Sequence, residues 1–512
     1  MRSDQAATVA RLCRGGARRA PDRLAIETES AGLTFAALDR RSESLAHYLK
    51  DAIAPGQRVG IYCSNRVEWV ETYIAAHKAG ISAVPINHRY RARELEHILG
   101  EADLGLVVHD DTVLADGDLQ ALMVGVPTLP VGAAYEAAAS GSSEPVEPRD
   151  SDEDLIVYTS GTTALPKGVV YTRLTQLTSV AVPQLVVGYD PSDRFLLFTP
   201  LAHRAAQPLL LCALFMGATT YLLTEYSPES LIAAINDRGI TALVGVPTAL
   251  KDLLRLHEGN GVEPMSRVRH VFLSGEGVGS DLLRDIMPLF PNARFSSAYG
   301  STEAGLVTFR DHEHTLTHHR SCGRALQGVD VRLVREDGSD AAGTESGEVI
   351  VRAGKPGTYT VAAGYLGATG VESFTDADGW FHTGDVATVD GDGFYAIVDR
   401  KKDMILSGGM NIASKEVEEI VASHEGVLEV AVTGEPDPRF GEHVVAWVVR
   451  RDGSNVTEAD IVAHVASQAA SYKKPSVVRF VESLPRSPTG KVQKRALRVD
   501  FAQVPTTPGE AA

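Results

Sequence analysis

The segment YTSGTTALPKGV, residues 158–169, gathers donors of the kind that hold phosphate oxygens. Thr159, Ser160, Thr162 and Thr163 surround Gly161, and Lys167 and Gly168 follow Pro166. Small residues let backbone N–H groups approach an anion closely, while hydroxyls and an ammonium add further donors. Surface turns draw on the same residue types, so the loop alone is compatible with either role. Four more segments carry reactive side chains: AYGSTEAG at 298–305, FHTGD at 381–385, DRKKDMILSGG at 399–409 and PRSPTGKVQK at 485–494. In the first, Tyr299 offers a flat face, Thr302 a hydroxyl and Glu303 a hard oxygen ligand for a divalent cation. In the second, Asp385 follows Gly384 and can accept two hydroxyl hydrogen bonds. DHEHTLTHHR at 311–320 holds four His but lacks a second ligand cluster, and reads as a polar surface loop rather than a metal site.

These segments need a scaffold, and the chain supplies one by alternating two periods. RVGIYC (58–63) reads as a strand and VEWVETYIAAHKAG (67–80) as an amphipathic helix ending in Gly. SAVPIN (82–87) and RARELEHILGEA (91–102) repeat the pair. The rhythm returns at 194–200, 218–223, 228–239 and 240–247. Such alternation implies an α/β fold with parallel layers, its ligand site on loops beyond the carboxyl ends of the strands. Around 321 the texture changes to strands joined by DG and Gly-rich turns. A third section begins near 399, with a helix at 414–424 and enough residues for a small α+β domain. The stretch 136–153 is poor in large apolar residues and reads as a surface linker.

Composition narrows the function. The 512 residues carry 49 Lys plus Arg against 66 Asp plus Glu, a net charge of −17. That balance disfavours nucleic acid as a partner. The apolar run at 208–223 is shorter than the ~20 residues that span a bilayer, and Gly217 interrupts it. It reads as a buried helix running into a buried strand, with no stable membrane insertion. Four scattered Cys form no CxxC pair. Free Cys used as a small apolar residue fits a reducing, cytoplasmic setting.

In this order and at these intervals, the five segments closely resemble the adenylate-forming superfamily, which includes acyl-CoA ligases, luciferases and peptide-synthetase adenylation domains. The resemblance runs from LTFAALDRRS at 33–42 to Lys491. It implies a large multi-layer N-terminal domain over 1–399, a small mobile α+β domain over 403–512, and a hinge near 400–402 about Lys402. It implies two half-reactions: a carboxylate attacks the α-phosphate of Mg-ATP to give an acyl-adenylate, and a thiol then displaces AMP.

The resemblance also implies roles. Thr159, Ser160, Gly161, Thr162, Thr163 and Lys167 would hold phosphates. Glu276, Gly277, Tyr299, Gly300, Thr302, Asp385, Arg400 and Lys491 would complete the nucleotide site, and Glu303 would hold Mg²⁺. Lys491, Thr302 and His203 would be catalytic. His203, Ala202, Gly275, Ala298 and Gly305 would border the acyl pocket, and Gly408 with Gly409 the path of the pantetheine arm. Several positions depart from the usual pattern: Ala164 stands for Gly in the phosphate loop, Arg173 for His after it, Ala202 for an aromatic residue, Glu276 and Gly277 for the small residues more often seen, and Ser414-Lys415 lacks Pro. Small Ala202, Ala205 and Ala206 favour a bulky acid. The reading is an acyl-CoA ligase using ATP (or acyl-AMP), Mg²⁺ and coenzyme A, with a homodimer as one assembly open to it. Two alternatives stand beside it: a homologue with impaired adenylation that only converts a preformed acyl-adenylate, and a non-catalytic nucleotide-binding homologue.

Overall fold

A computed structural model of the chain describes residues 8–114, 117–159, 165–245, 247–274, 280–486 and 492–500. The chain divides into two compact units: residues 1–331 with 350–383 and 391–396, and residues 332–349 with 384–390 and 397–512.

The first unit is built on two large sheets. The eight-stranded sheet runs, edge to edge, through the strands that begin at Gly370, Gly364, Lys167, Glu153, Ala83, Arg58, Leu104 and Thr128. The nine-stranded sheet runs through those that begin at Arg324, Gly305, Arg294, His270, Ala242, Arg194, Thr219, Leu24 and Gly32. Both are parallel at the centre and antiparallel at an edge, as the alternating pattern implies. The apolar run at 208–223 is the helix Gln207–Met216, a left-handed Gly217, and the fully buried strand Thr219–Leu222. Cys13, Cys63 and Cys212 lie buried, and burial pushes their thiols up and out of reactive range.

Two expectations change. The helix Val67–Ala79 is not amphipathic: every residue but Glu68 is buried. Its polar face closes against charged partners, because a buried charge needs a counterion. Glu71 pairs with Arg41, Lys78 Nζ lies 2.6 Å from Asp39, and His77 Nδ1 lies 3.1 Å from Asp154. The stretch 136–153 is likewise not a free-running surface linker. It starts inside the helix Ala133–Ala139, and Val146 is buried. Arg149 donates to the carbonyls of Ala54 at 3.0 Å and Lys50 at 2.8 Å, closing the end of the helix Phe35–Ala52. The turn at Gly80 (φ +65°) packs on the same strap, where a Cβ would meet the Arg149 carbonyl at 2.4 Å.

The strands beginning at Asp330, Gly347, Phe381 and Tyr395 form a four-stranded sheet, and the second unit holds a C-terminal α+β layer. There the long antiparallel pair Val427–Asp437 and Gly441–Arg450 is backed by the helices Ser414–Ala422 and Glu458–Gln468 around a Val- and Ile-rich core. Among the described residues no helix is long and apolar enough to cross a membrane.

Candidate active site

In the first unit, chemistry collects where the strand Lys167–Thr172 passes the turn after the strand Arg294–Ser301. Thr159 and Lys167 face each other across the antiparallel pair that flanks the phosphate-loop sequence. Ser160, Gly161, Thr162, Thr163 and Ala164 lie outside the described residues, as do Gly275, Glu276, Gly277 and Lys491. The Lys167 ammonium sits 4.8 Å from the ring centroid of Tyr365. The Tyr365 hydroxyl donates to Glu303 Oε1 at 3.0 Å, and burial beside that carboxylate raises the phenol pKa. Tyr365 thus joins a cation and the candidate metal ligand that sequence leaves 136 positions apart (303 − 167). The Tyr171 hydroxyl, four residues after Lys167 on the same strand, donates to the Thr302 carbonyl.

Glycines set this turn. Gly300 and Gly305 pack so closely that a Cβ on Gly300 would lie 2.1 Å from the Gly305 carbonyl oxygen. Gly305 itself holds φ +67° against the Thr360 carbonyl. The four residues between them are projected as a loop carrying Thr302 and Glu303. Tyr299, half-buried, precedes the turn, and Ala298 is buried in the main core.

His203 lies on the turn before the helix Gln207–Met216, half-buried, with Nε2 3.2 Å from Asn87 Nδ2. Ala202 beside it is buried, Ala206 packs into the core, and Ala205 is exposed. Arg204 stacks over the Tyr171 ring at 4.2 Å and donates from Nη2 to Ser179 Oγ at 2.5 Å. Arg173, at a departure from the usual pattern, spends its side chain on the Ser151 carbonyl. A separate cavity of about 650 Å³ is lined by Ser64, Arg66, His88 and Arg91 among others, and none of the candidate residues borders it.

The four His at 311–320 are structural, not a free polar loop. Buried Arg310 donates to the carbonyls of His318, His319 and Ser321, and His314 and His318 pack on Phe394. No group of three or more His, Cys, Asp or Glu among the described residues is placed to hold a metal.

The second unit gathers its own candidates. Gly384 (φ +71°) turns the strand Phe381–Val389 so that Asp385 comes 3.5 Å from Arg400 Nε. Glu348 secures the turn, accepting from Gly384 N at 3.3 Å and Lys401 Nζ at 2.9 Å. Lys402 lies next to this cluster, and burial, then Arg400, lowers its pKa. Gly408 (φ +58°) and Gly409 (φ +79°) are the two central residues of the hairpin that pairs Ser407 with Met410. That turn demands left-handed backbone at both positions, so it explains both glycines without reference to a ligand. Around the Lys491 segment, Arg486 and Val492 pair antiparallel, and Lys494 Nζ is fixed 2.7 Å from Glu418 and 2.6 Å from Ser414 Oγ. Ser414 in turn donates to buried Asp399 at 2.6 Å.

Sequence reading misses the partners: Tyr365, Tyr171, Asn87, Glu348 and Lys494. Of these, Lys494 alone sits in one of the five segments, and each acts through a contact across the fold. Arg204 did leave a signal, a charge directly after His203 in an apolar stretch.

Comparison with known proteins agrees with this layout. The AMP-binding enzyme profile matches residues 13–366, and the profile of the AMP-binding enzyme C-terminal domain matches residues 416–491. A feruloyl-CoA synthase of Amycolatopsis sp is 34% identical over 503 residues, covering 95% of this chain and 97% of that protein. A 2-succinylbenzoate–CoA ligase of Bacillus cytotoxicus is 31% identical over 490 residues, covering 93% and 96%. The structure of o-succinylbenzoate CoA synthetase from Bacillus subtilis, in complex with its acyl-adenylate intermediate, superposes with a TM-score of 0.83 at 26% identity, covering 98% of this chain and 99% of that one. With both profiles matched in order and full-length relatives above 30% identity, the chain belongs to the AMP-binding enzyme family of the adenylate-forming superfamily.

Proposed function

We propose that this protein is an AMP-forming acid–CoA ligase for a bulky carboxylic acid. The acid attacks the α-phosphate of ATP, giving acyl-adenylate and pyrophosphate, and the CoA thiol then displaces AMP. The observation that carries the reading is the Lys167–Tyr365–Glu303 arrangement beside Thr302, in a chain whose relatives along nearly its whole length include CoA ligases. The alternatives, a preformed-adenylate enzyme and a non-catalytic homologue, are not favoured by these relatives.

Phosphoryl transfer asks mainly for positioning and charge compensation. Lys167 and Thr302 would hold phosphate oxygens, Asp385 and Arg400 the ribose, and Tyr299 the adenine. Glu303, one carboxylate oxygen held by Tyr365, fits a Mg²⁺ ion, which keeps one or two carboxylates and takes its other ligands from phosphates and water. That ion would neutralise phosphate charge when bound. Lys491 would reach the acid's carboxylate and the α-phosphate, and His203 would border the acyl group. Gly408 and Gly409 would let the pantetheine arm pass.

The test is direct. Protein with ATP, Mg²⁺, CoA and a panel of aryl and polycyclic acids should yield AMP and acyl-CoA together. In Lys491→Ala, ATP-dependent adenylate formation should fall by about 10²-fold or more, with little change in the rate from supplied acyl-adenylate plus CoA. Absence of AMP release with every acid would overturn the reading.

A further inference from the structure

One helix holds both ends of the chain that flank the phosphate-loop sequence. His97 and Glu101 lie four residues apart on the helix Ala92–Glu101, so their side chains share a face, one turn apart. Glu101 Oε2 accepts from the Tyr158 hydroxyl at 2.8 Å, on the strand Glu153–Thr159 that enters the loop. His97 Nε2 donates to the Pro166 carbonyl at 2.9 Å, just before the strand Lys167–Thr172 that leaves it. The His97 ring also meets the Tyr158 ring edge-on, with centroids 6.3 Å apart. The two strands are themselves paired, Tyr158 with Gly168 and Thr159 with Lys167. They are seated closely: a Cβ on Gly168 would lie 3.2 Å from the Tyr158 ring and 3.1 Å from Ile156.

Pro166 is the telling partner. It is buried and, as a proline, has no N–H, so its carbonyl is its single backbone hydrogen-bonding group. That carbonyl belongs to the planar peptide unit it shares with Lys167. Bonding it to His97 orients the unit, and with it the direction in which the Lys167 side chain leaves the backbone. Lys167 is exposed, and its ammonium stands over the ring of Tyr365, whose hydroxyl holds Glu303. A long, exposed side chain meets a ligand accurately only where its root is fixed, and small misplacements weaken such contacts severely. Because Lys167 shares Tyr365 with the candidate Mg²⁺ ligand, the oxygens within its reach are those such an ion bridges, on the β- and γ-phosphates. Accepting the ligase reading above, we propose that His97 and Glu101 are positioning residues, a two-point clamp that holds Lys167 at the ATP phosphates that AMP lacks.

Nucleotide binding tests this without knowledge of the acid. Mg-ATP and AMP are titrated calorimetrically into the full-length protein. His97→Ala should weaken ATP binding by about fivefold, the effect of one ordinary hydrogen bond, and leave AMP binding nearly unchanged. His97→Gln, whose side-chain amide also donates, should keep most of the ATP affinity. Tyr158→Phe frees the other strand from Glu101 and should weaken ATP selectively too. In a Lys167→Met background, His97→Ala should cost no further ATP affinity, since a positioning effect vanishes with the group it positions. Equal weakening of ATP and AMP, or ATP losses that add in the double variant, would make the clamp a brace for the strands and overturn the proposal. So would an ATP affinity unmoved in His97→Ala or in Tyr158→Phe, or a His97→Gln variant as weak as His97→Ala. A folded parent protein that binds neither nucleotide would instead overturn the ligase reading on which the proposal rests.

Discussion

Tyr365 does two jobs that can be separated. Its ring lies under Lys167 and its hydroxyl holds Glu303. Tyr365→Phe keeps the first contact and removes the second. A hydrogen bond to a charged group contributes about 1.5–3 kcal/mol, so ATP-dependent adenylate formation should drop roughly tenfold or more, and more Mg²⁺ should be needed for half-maximal rate. Thioester formation from supplied acyl-adenylate should hold its parental rate, because neither phosphate transfer nor the metal is needed there. Should the Mg²⁺ requirement be unmoved, Glu303 is oriented by something else. Tyr365 also shows why residue-level reading stops short. Glu303 is visible in a motif, while the group that aims it arrives from a strand 62 positions later.

At the scale of elements, turns and anchors decide more than propensity. The hairpin turn at Gly408-Gly409 leaves open space around Gly409, where no atom lies within 4 Å of a built Cβ. Any L-residue there takes on about 1–2 kcal/mol of left-handed strain. Gly409→Ala carries that strain with little bulk, and Gly409→Leu adds bulk. If the segment borders the pantetheine arm, the Leu variant should accumulate acyl-AMP while the Ala variant does not. Matching thioester rates in the two would place the arm elsewhere.

The same unit is held by Lys494, whose ammonium serves Glu418 and Ser414 near the start of the helix Ser414–Ala422. Burial raises the pKa of Glu418 despite Lys494. Lys494→Met should raise it further, widening the gap above the unfolded value. A carboxyl raised on folding binds its proton more tightly in the native state, so stability falls as pH rises through the window between the unfolded and folded pKa. The variant should therefore lose about 2 kcal/mol at pH 7.5, less than for a fully buried pair because both side chains keep some solvent contact, and recover part of it at pH 5. Urea unfolding at the two pH values checks this, and an equal loss at both would remove Glu418 from the explanation.

For the whole molecule, the question is how one chain runs two reactions. The two matched family domains, 13–366 and 416–491, leave the 400–402 segment between them, and we propose it as the place of an alternation. In that turn the amides of Lys401, Asp403 and Met404 all donate to backbone carbonyls, and Lys402 is bracketed between them. Lys402→Pro would fix φ near about −65° there. If Lys402 is the pivot, adenylate formation and thioester formation should part company: one half-reaction should survive and the other slow severely. Equal slowing of both, with unchanged thermal unfolding, would move the pivot away from Lys402.

The sequence by itself determined the parts that are local. Hydrophobic period set the strand–helix alternation, glycines marked turns such as Gly80, Gly217 and Gly384, and five short segments identified the chemistry and the family. Tertiary structure decided whatever depends on burial and on contacts across the chain. Helix Val67–Ala79 looks amphipathic in one dimension because its charges recur on one face. Only folding reveals that this face is buried and paired with Arg41, Asp39 and Asp154. The 136–153 stretch looks like a linker because it is short of large apolar residues, yet Arg149, with Lys50 and Glu43, straps it to a helix. Arg204 is the sharpest case. In the sequence it is one charge after a histidine, and only the fold shows it stacked on Tyr171 and bonded to Ser179, because a partner is a property of space rather than of spacing.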